Sequence, residues 1–167
     1  MQMIKVIPLE KKYLIKASKL ADSIFPNEEI PPSKAFEISL DKEKFDNFIK
    51  SKNDVKTLEY FVAIDENDSV IGTSGLYSLN SDYKDTYWLG WYCVHQDYRG
   101  KGIGKILLDC SIKKARKRGK KFLSLYTSTN PNEAAAQKVY EKNGFYITGQ
   151  KKVKQGNYEI FFRRKEL

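Results

Sequence analysis

The run TYWLGWYCV (residues 86–94) is followed by HQDYRGKG and then by a helical apolar pattern from about 102 to 118. This passage from strand through glycine turn to helix limits the architecture more than any other feature of the chain. The helix feeds a second strand, KFLSLYT (121–127), and a helical crossover makes the two strands it joins parallel. Upstream the order differs. LEYFVAI (58–64) and VIGTSGLYSL (70–79) are separated by the polar turn DENDS, which links antiparallel neighbours. The expected sheet is therefore mixed and mostly antiparallel.

The other segments extend this plan. MIKVIPL alternates and reads as a first strand. EKKYLIKASKLADSIF (10–25) carries Tyr13, Leu14, Ala17, Leu20, Ala21 and Ile24 at helical spacing. Three prolines in FPNEEIPPS break that helix, and a second one covers about 33–50. NPNEAAAQKVYEKNG is a helix closed by Gly144, a residue type favoured just past a helix end. FYITGQKKV and NYEIFFRRKEL are two last strands joined near Gln155–Asn157. The expectation is one α/β domain over residues 1–167, with helices flanking the sheet.

Composition narrows the function classes. Lys and Arg number 30 against 21 Asp and Glu, a net charge of +9 that raises the local concentration of anions. Two cysteines, Cys93 and Cys110, and the lone His95 make no metal set, so no metal is expected. No apolar run has the length of a membrane span, and the N-terminus does not read as a secretion signal, so the expected location is cytoplasmic.

The glycine turn is an anion-binding device. The first N–H groups of a helix lack internal partners, its dipole favours negative charge, and glycine admits close approach. Arg99, Lys101 and Lys105 add positive charge around Gly100, Gly102, Ile103 and Gly104. Two phosphate loops fail on spacing. A P-loop ending at Gly104–Lys105 would need glycine where Arg99 stands, and GxGxxG would need it at Lys105 or Leu107. The spacing present is R-x-x-G-x-G, as Arg99, Gly102 and Gly104.

With that spacing, VHQDYRGKGIGKILLD (94–109) resembles the central motif of the GNAT superfamily of N-acetyltransferases. AAAQKVYEKNGF (134–145) resembles the same family's later helix, with Tyr140, Gly144 and Phe145 in its signature positions. The resemblance covers about 87–149 as the cofactor-binding core and leaves about 10–50 as acceptor-side helices. It implies a GNAT-like fold and transfer of an acetyl group from acetyl-CoA to a primary amine within a ternary complex. It implies that the amides of Arg99 to Lys105 hold the pyrophosphate, and that a strand bulge near Cys93 and Val94 frees an N–H for the thioester carbonyl. Tyr140 would protonate the leaving thiolate. The family's asparagine seven residues before the tyrosine is here Glu133; either of the nearby Asn130 and Asn132 can cap the helix, touch the cofactor or do both, and Asn132 is the one assigned to the cofactor.

The base is not fixed by the resemblance. The family's strand glutamate is missing from Tyr87–Tyr92, and Asp85 stands only at the strand's entrance. Glu28 and Glu29 are candidates beside deprotonation through water. Alternation places Trp88 and Tyr92 on one face of the strand and Trp91 on the other. The basic run KKARKRGKK (113–121) reads as a solvated helix end, with no nucleic-acid partner and no membrane partner expected. A homodimer would extend the sheet through Tyr87–Tyr92 or the last strand. The rival functions are an acyl-CoA sensor without turnover and a basic nucleic-acid-binding module.

Overall fold

The computed structural model describes residues 3–51, 54–154 and 156–167. The expected turn at Gln155–Asn157 begins on a residue, Gln155, outside that set. The chain runs β1 (Lys5–Pro8), α1 (Leu14–Ile24), α2 (Pro32–Ser39), α3 (Lys42–Lys50), β2 (Val55–Ile64), β3 (Val70–Leu79) and β4 (Thr86–Val94). It continues with α4 (Ile103–Lys117), β5 (Phe122–Ser128), α5 (Ala134–Lys142), β6 (Tyr146–Lys152) and β7 (Glu159–Glu166). Short 3-10 turns precede α1, α4 and α5.

The single expected helix over 33–50 is two. Asp41 ends the first and caps the second, its carboxylate accepting from the Lys44 N–H at 3.0 Å. An N-cap residue takes extended backbone, as Asp41 does, so a helix cannot run through it.

The strands form one sheet in the order β1-β2-β3-β4-β5-β7-β6. Among the pairs, β4–β5 is parallel and the others are antiparallel. The helices α1 and α2 cover one face, with Ala17, Leu20, Ala21 and Phe36 packed on Tyr60, Val62 and Val70. On the opposite face, Leu108 and Ile112 of α4 and Tyr140 of α5 pack on Phe61, Leu76, Leu89, Leu123 and Leu125. Both apolar faces of the central strands are thereby removed from water, the main favourable term in folding.

Two features position the site. First, β4 and β5 pair only through Thr86–Phe122, Tyr87–Leu123 and Trp88–Ser124. Beyond them β5 pairs with β7 alone, and the two parallel strands part. Second, β4 and β7 are interior to the sheet, whereas β1 and β6 are its edges. The last strand, β7, is flanked by β5 and β6, so the expected dimer route has no edge there, while β4 is flanked by β3 and, at Thr86–Trp88 alone, by β5.

Candidate active site

The opening between β4 and β5 begins beside an irregularity in β4. Gly75 pairs with Gly90 and Thr73 with Cys93, so Ser74 faces both Trp91 and Tyr92. This is a β-bulge, and Trp91 carries its strain at φ 41°. The bulge lies two residues earlier than the sequence places it. It also reverses the expected facing. Trp88 and Trp91 share the α1–α2 side, where Trp88 stacks on Tyr77 and Trp91 meets Phe25 at 5.1 Å between ring centres. Tyr92 turns to the α4–α5 side, its ring 5.7 Å from that of Tyr140. An extra residue shifts the period of two by one, which sends each later side chain to the opposite face.

The bulge also sorts the two backbone positions that follow it. The His95 N–H donates to the Ile71 carbonyl at 2.8 Å. Alternation along an antiparallel pair then commits Cys93 to Thr73 and turns the N–H and C=O of Val94 toward the opening. Of the two expected positions, Val94 has its amide available and Cys93 does not. The Cys93 thiol, buried on the opposite face, is pushed up to about 11 by desolvation, so it stays a thiol at neutral pH and is no nucleophile.

The loop after β4 is built open. From Gly100 to Lys105 no main-chain N–H donates to a carbonyl among the described residues, and the first helical bond is Ile106 N–H to Gly102 O at 3.1 Å. Gly100 and Gly102 adopt φ 74° and 81°, a region costly to other residues, and nothing lies within 4 Å of where a Cβ would stand. Gly104 is glycine for a different reason: a Cβ there would come within 2.6 Å of the Tyr92 hydroxyl. Ile103 is buried in the core beneath the loop and anchors the helix start. The loop is also tied from behind, because Tyr98 donates to the buried Asp65 carboxylate at 2.9 Å.

The loop cations divide their roles. Arg99 donates from Nε to the Val94 carbonyl at 3.1 Å, bracing the strand end that exposes the Val94 amide. Lys105 pairs with Asp109 one turn on, at 2.7 Å, and Lys101 lies over the Tyr98 ring at 5.1 Å. The cradle of amides at a helix N-terminus, with exposed cations beside it, fits a pyrophosphate.

Tyr140 stands across the opening on α5, 6 % exposed, with its ring against Tyr92 and Phe145. No described residue hydrogen-bonds its hydroxyl. Burial first, and the neighbouring Tyr92 second, push the phenol well above its ordinary range, so it holds its proton throughout physiological pH. Ala136 and Val139 pack at the margin of the same cluster.

A model of the acetyltransferase (GNAT) family matches residues 22–145 of this chain. The chain belongs to the GNAT acetyltransferase family. Solved structures agree on the fold. The ribosomal-protein-S18-alanine N-acetyltransferase of Escherichia coli superposes with a TM-score of 0.70 at 19 % identity, covering 98 % of this chain and 94 % of that one. An N-acetyltransferase from Staphylococcus aureus Mu50 gives 0.71 at 21 % identity, covering 98 % of each. A GNAT family acetyltransferase from Elizabethkingia anophelis, solved with acetyl-CoA bound, gives 0.61 at 22 % identity, also covering 98 % of each. A search of curated protein sequences returned no match.

Other residues of this GNAT domain fall differently from expectation. Asn130, not Asn132, caps the turn before α5, accepting from the Asn132 N–H at 3.0 Å, and Asn132 is exposed. Glu133 closes the end of β5, accepting from the Ser128 N–H at 3.1 Å and the Thr127 hydroxyl at 3.2 Å. Asp85 lies at the closed end of the strand pair beside Lys121, 3.3 Å away, and has no part in the opening. Glu28 and Glu29 sit on the exposed loop that starts at Phe25, itself docked on Trp91. They are not equivalent. Partial desolvation, then the charge of Glu133, raises the Glu28 carboxyl above the usual carboxylate range. The basic run lies at the surface as expected, with Lys113, Arg116, Lys117, Arg118 and Lys121 exposed, while Arg118 pairs with Glu59, Lys120 donates to the Tyr83 carbonyl and Lys114 stands 4.5 Å over Phe61. No helix among the described residues is long and apolar enough to cross a membrane.

Proposed function

We propose that this GNAT acetyltransferase moves the acetyl group of acetyl-CoA to a primary amine by direct attack within a ternary complex. The observation that carries this reading is the convergence, at one opening in the sheet, of a free Val94 amide, an open cradle of loop amides and the unpartnered Tyr140 hydroxyl. Loop amides from Gly100 to Lys105, with Arg99 as their brace, hold the pyrophosphate at the start of α4. The Val94 N–H donates to the thioester carbonyl, and such a preorganised donor contributes about 3 kcal/mol as negative charge develops on the oxygen. Cys93 supports that strand from within the ladder rather than touching the cofactor.

Glu28 is the general base. An acceptor enters as an ammonium and gives one proton to the Glu28 carboxylate. Its nitrogen bonds the acetyl carbon, the carbon–sulfur bond breaks, and Tyr140 passes its proton to the departing thiolate. The second amine proton goes to solvent, and the proton held on Glu28 passes through solvent to restore Tyr140. Free CoA, the acetylated amine and one proton are the net products. Asn132, exposed at the start of α5, reaches the pantetheine arm from outside.

Calorimetry with acetyl-CoA and thiol release over a panel of amines test this reading. Binding with turnover supports it. Tyr140→Phe is expected to lower kcat while leaving acetyl-CoA affinity nearly unchanged, and Gly102→Val to abolish binding. Full acetyl-CoA binding with no turnover on any amine marks an acyl-CoA sensor instead, and no binding removes both readings.

A further inference from the structure

The acceptor side of the opening has a wall the reaction above does not use. Gly75 of β3 and Gly90 of β4 are register partners, and two tyrosine rings lie across them. A Cβ on Gly75 would strike the Tyr60 ring at 2.3 Å, and one on Gly90 would meet the Tyr77 ring at 3.2 Å. The Tyr60 ring therefore starts on β2, crosses β3 and reaches β4, where its edge stands 3.7 Å from a Cβ on Gly90. Tyr77 points the same way from β3. Tyr126, on β5 and 52 % exposed, is near enough for its phenol to act electrostatically on both.

Tyr60 is only 6 % exposed, yet no described residue hydrogen-bonds its hydroxyl, and that oxygen is not sealed from solvent. A buried hydroxyl ordinarily has a partner. Here the partner's place is the opening itself. Carboxylates act on two of these phenols, Asp82 on Tyr77 and Glu28 with Glu133 on Tyr126, in a chain whose net charge is +9. Aromatic faces, phenolic oxygens and carboxylates together are the surroundings that favour an alkylammonium and disfavour a carboxylate.

We infer that the acceptor is a diamine, carrying a second ammonium that rests against Tyr60, Tyr77 and Tyr126 while its other amine is acetylated. The inference rests on the acetyl-transfer reading and names the acceptor class for that same site. Glu28 serves the reacting amine, and the tyrosine wall holds the distal one. The second charge is the group the acceptor face selects.

The test uses three acceptors of equal chain length with acetyl-CoA: 1,4-diaminobutane, 1-aminobutane and 4-aminobutanoate. The expected result is a kcat/KM about tenfold higher for the diamine than for the monoamine, the scale of one partly desolvated cation–π contact, and lowest for the amino acid. Tyr60→Phe and Tyr126→Phe are expected to narrow the ratio of diamine to monoamine, a readout that a loss of folded protein does not move. Equal kcat/KM for diamine and monoamine, or preference for 4-aminobutanoate, overturns the inference and leaves the transfer reading standing. Absence of thiol release with all three overturns the inference, and the wider amine panel then decides the transfer reading.

Discussion

The Tyr92 hydroxyl occupies the space that a side chain at residue 104 would need, 2.6 Å from where its Cβ would stand. The bulge at Trp91 and Tyr92 and the glycine at the start of α4 are thus two halves of one arrangement. The bulge turns Tyr92 toward the helix, and Gly104 lets the helix approach it.

Gly104→Ala should therefore weaken acetyl-CoA binding by pushing the helix start away, an overpacking cost of about 1–3 kcal/mol. Tyr92→Phe removes the oxygen that the added methyl meets, leaving the nearest ring carbon at 3.6 Å. The double variant should bind acetyl-CoA more tightly than Gly104→Ala alone. Calorimetric affinities of the four proteins give the coupling, and additive effects would sever this link.

Acid sensitivity of the loop anchor is a second expectation. The Ser69 N–H is the chief influence holding the Asp65 carboxyl below the usual range, helped by the Tyr98 hydroxyl and the Asn67 N–H. A carboxyl depressed in the folded state adds stability above its unfolded pKa near 3.9 and loses it as pH falls through the folded value. Only as pH falls through that depressed folded value, below about 3.9, should Tyr98 loosen and Arg99 with it. Asp65→Asn should remove that part of the acid limb in a thermal melt series, and Tyr98→Phe should raise the KM for acetyl-CoA at neutral pH.

What the residues reveal in advance follows from how local each cause is. Gly100 and Gly102 are legible because positive φ is a property of one residue and its own backbone. The parallel pair is legible because a crossover helix leaves a long periodic trace. The bulge is not, since an inserted residue in a strand carries no composition of its own, and a strict alternation of TYWLGWYCV then misplaces Trp91 and Tyr92 together. The break at Asp41 did carry a signal, an Asp ahead of a charged first turn, overridden by continuous apolar spacing. Glu133 and Tyr126 are meaningful only once β5 parts from β4, and no stretch of sequence records that separation.

The Glu28 carboxyl gives the pH profile a direction. A general base works ionised. Desolvation and Glu133 raise this carboxyl, so kcat/KM should fall, as pH drops, at a higher pH than an ordinary glutamate near 4.3 would set. Glu28→Gln should lower the plateau and remove that limb, whereas Glu29→Gln should retain it. A limb unchanged in Glu28→Gln would assign proton removal to water.

Arg163 governs how α5 presents Tyr140. It is 4 % exposed on β7 and donates to Gln137 at 3.0 Å, to Glu141 at 2.9 Å and to the Phe145 carbonyl at 3.3 Å. Two of these partners lie on α5 and the third just beyond it, so one buried guanidinium fixes the helix against the sheet from start to exit. Arg163→Met keeps the apolar stem but strands the Gln137 and Phe145 oxygens, at about 3 kcal/mol for losing buried bonds to a charged group. Glu141 is 59 % exposed on its side chain, so Glu141→Gln should cost only about 0.5 kcal/mol after solvent screening. Urea midpoints separate the two. Among molecules still folded, Arg163→Met should reduce kcat with little change in acetyl-CoA affinity, because the phosphate loop belongs to α4 and is braced by Tyr98 and Arg99 instead. Loss of affinity in step with kcat would show that α5 also holds the cofactor, and that the division between gripping loop and proton-donating helix is wrong.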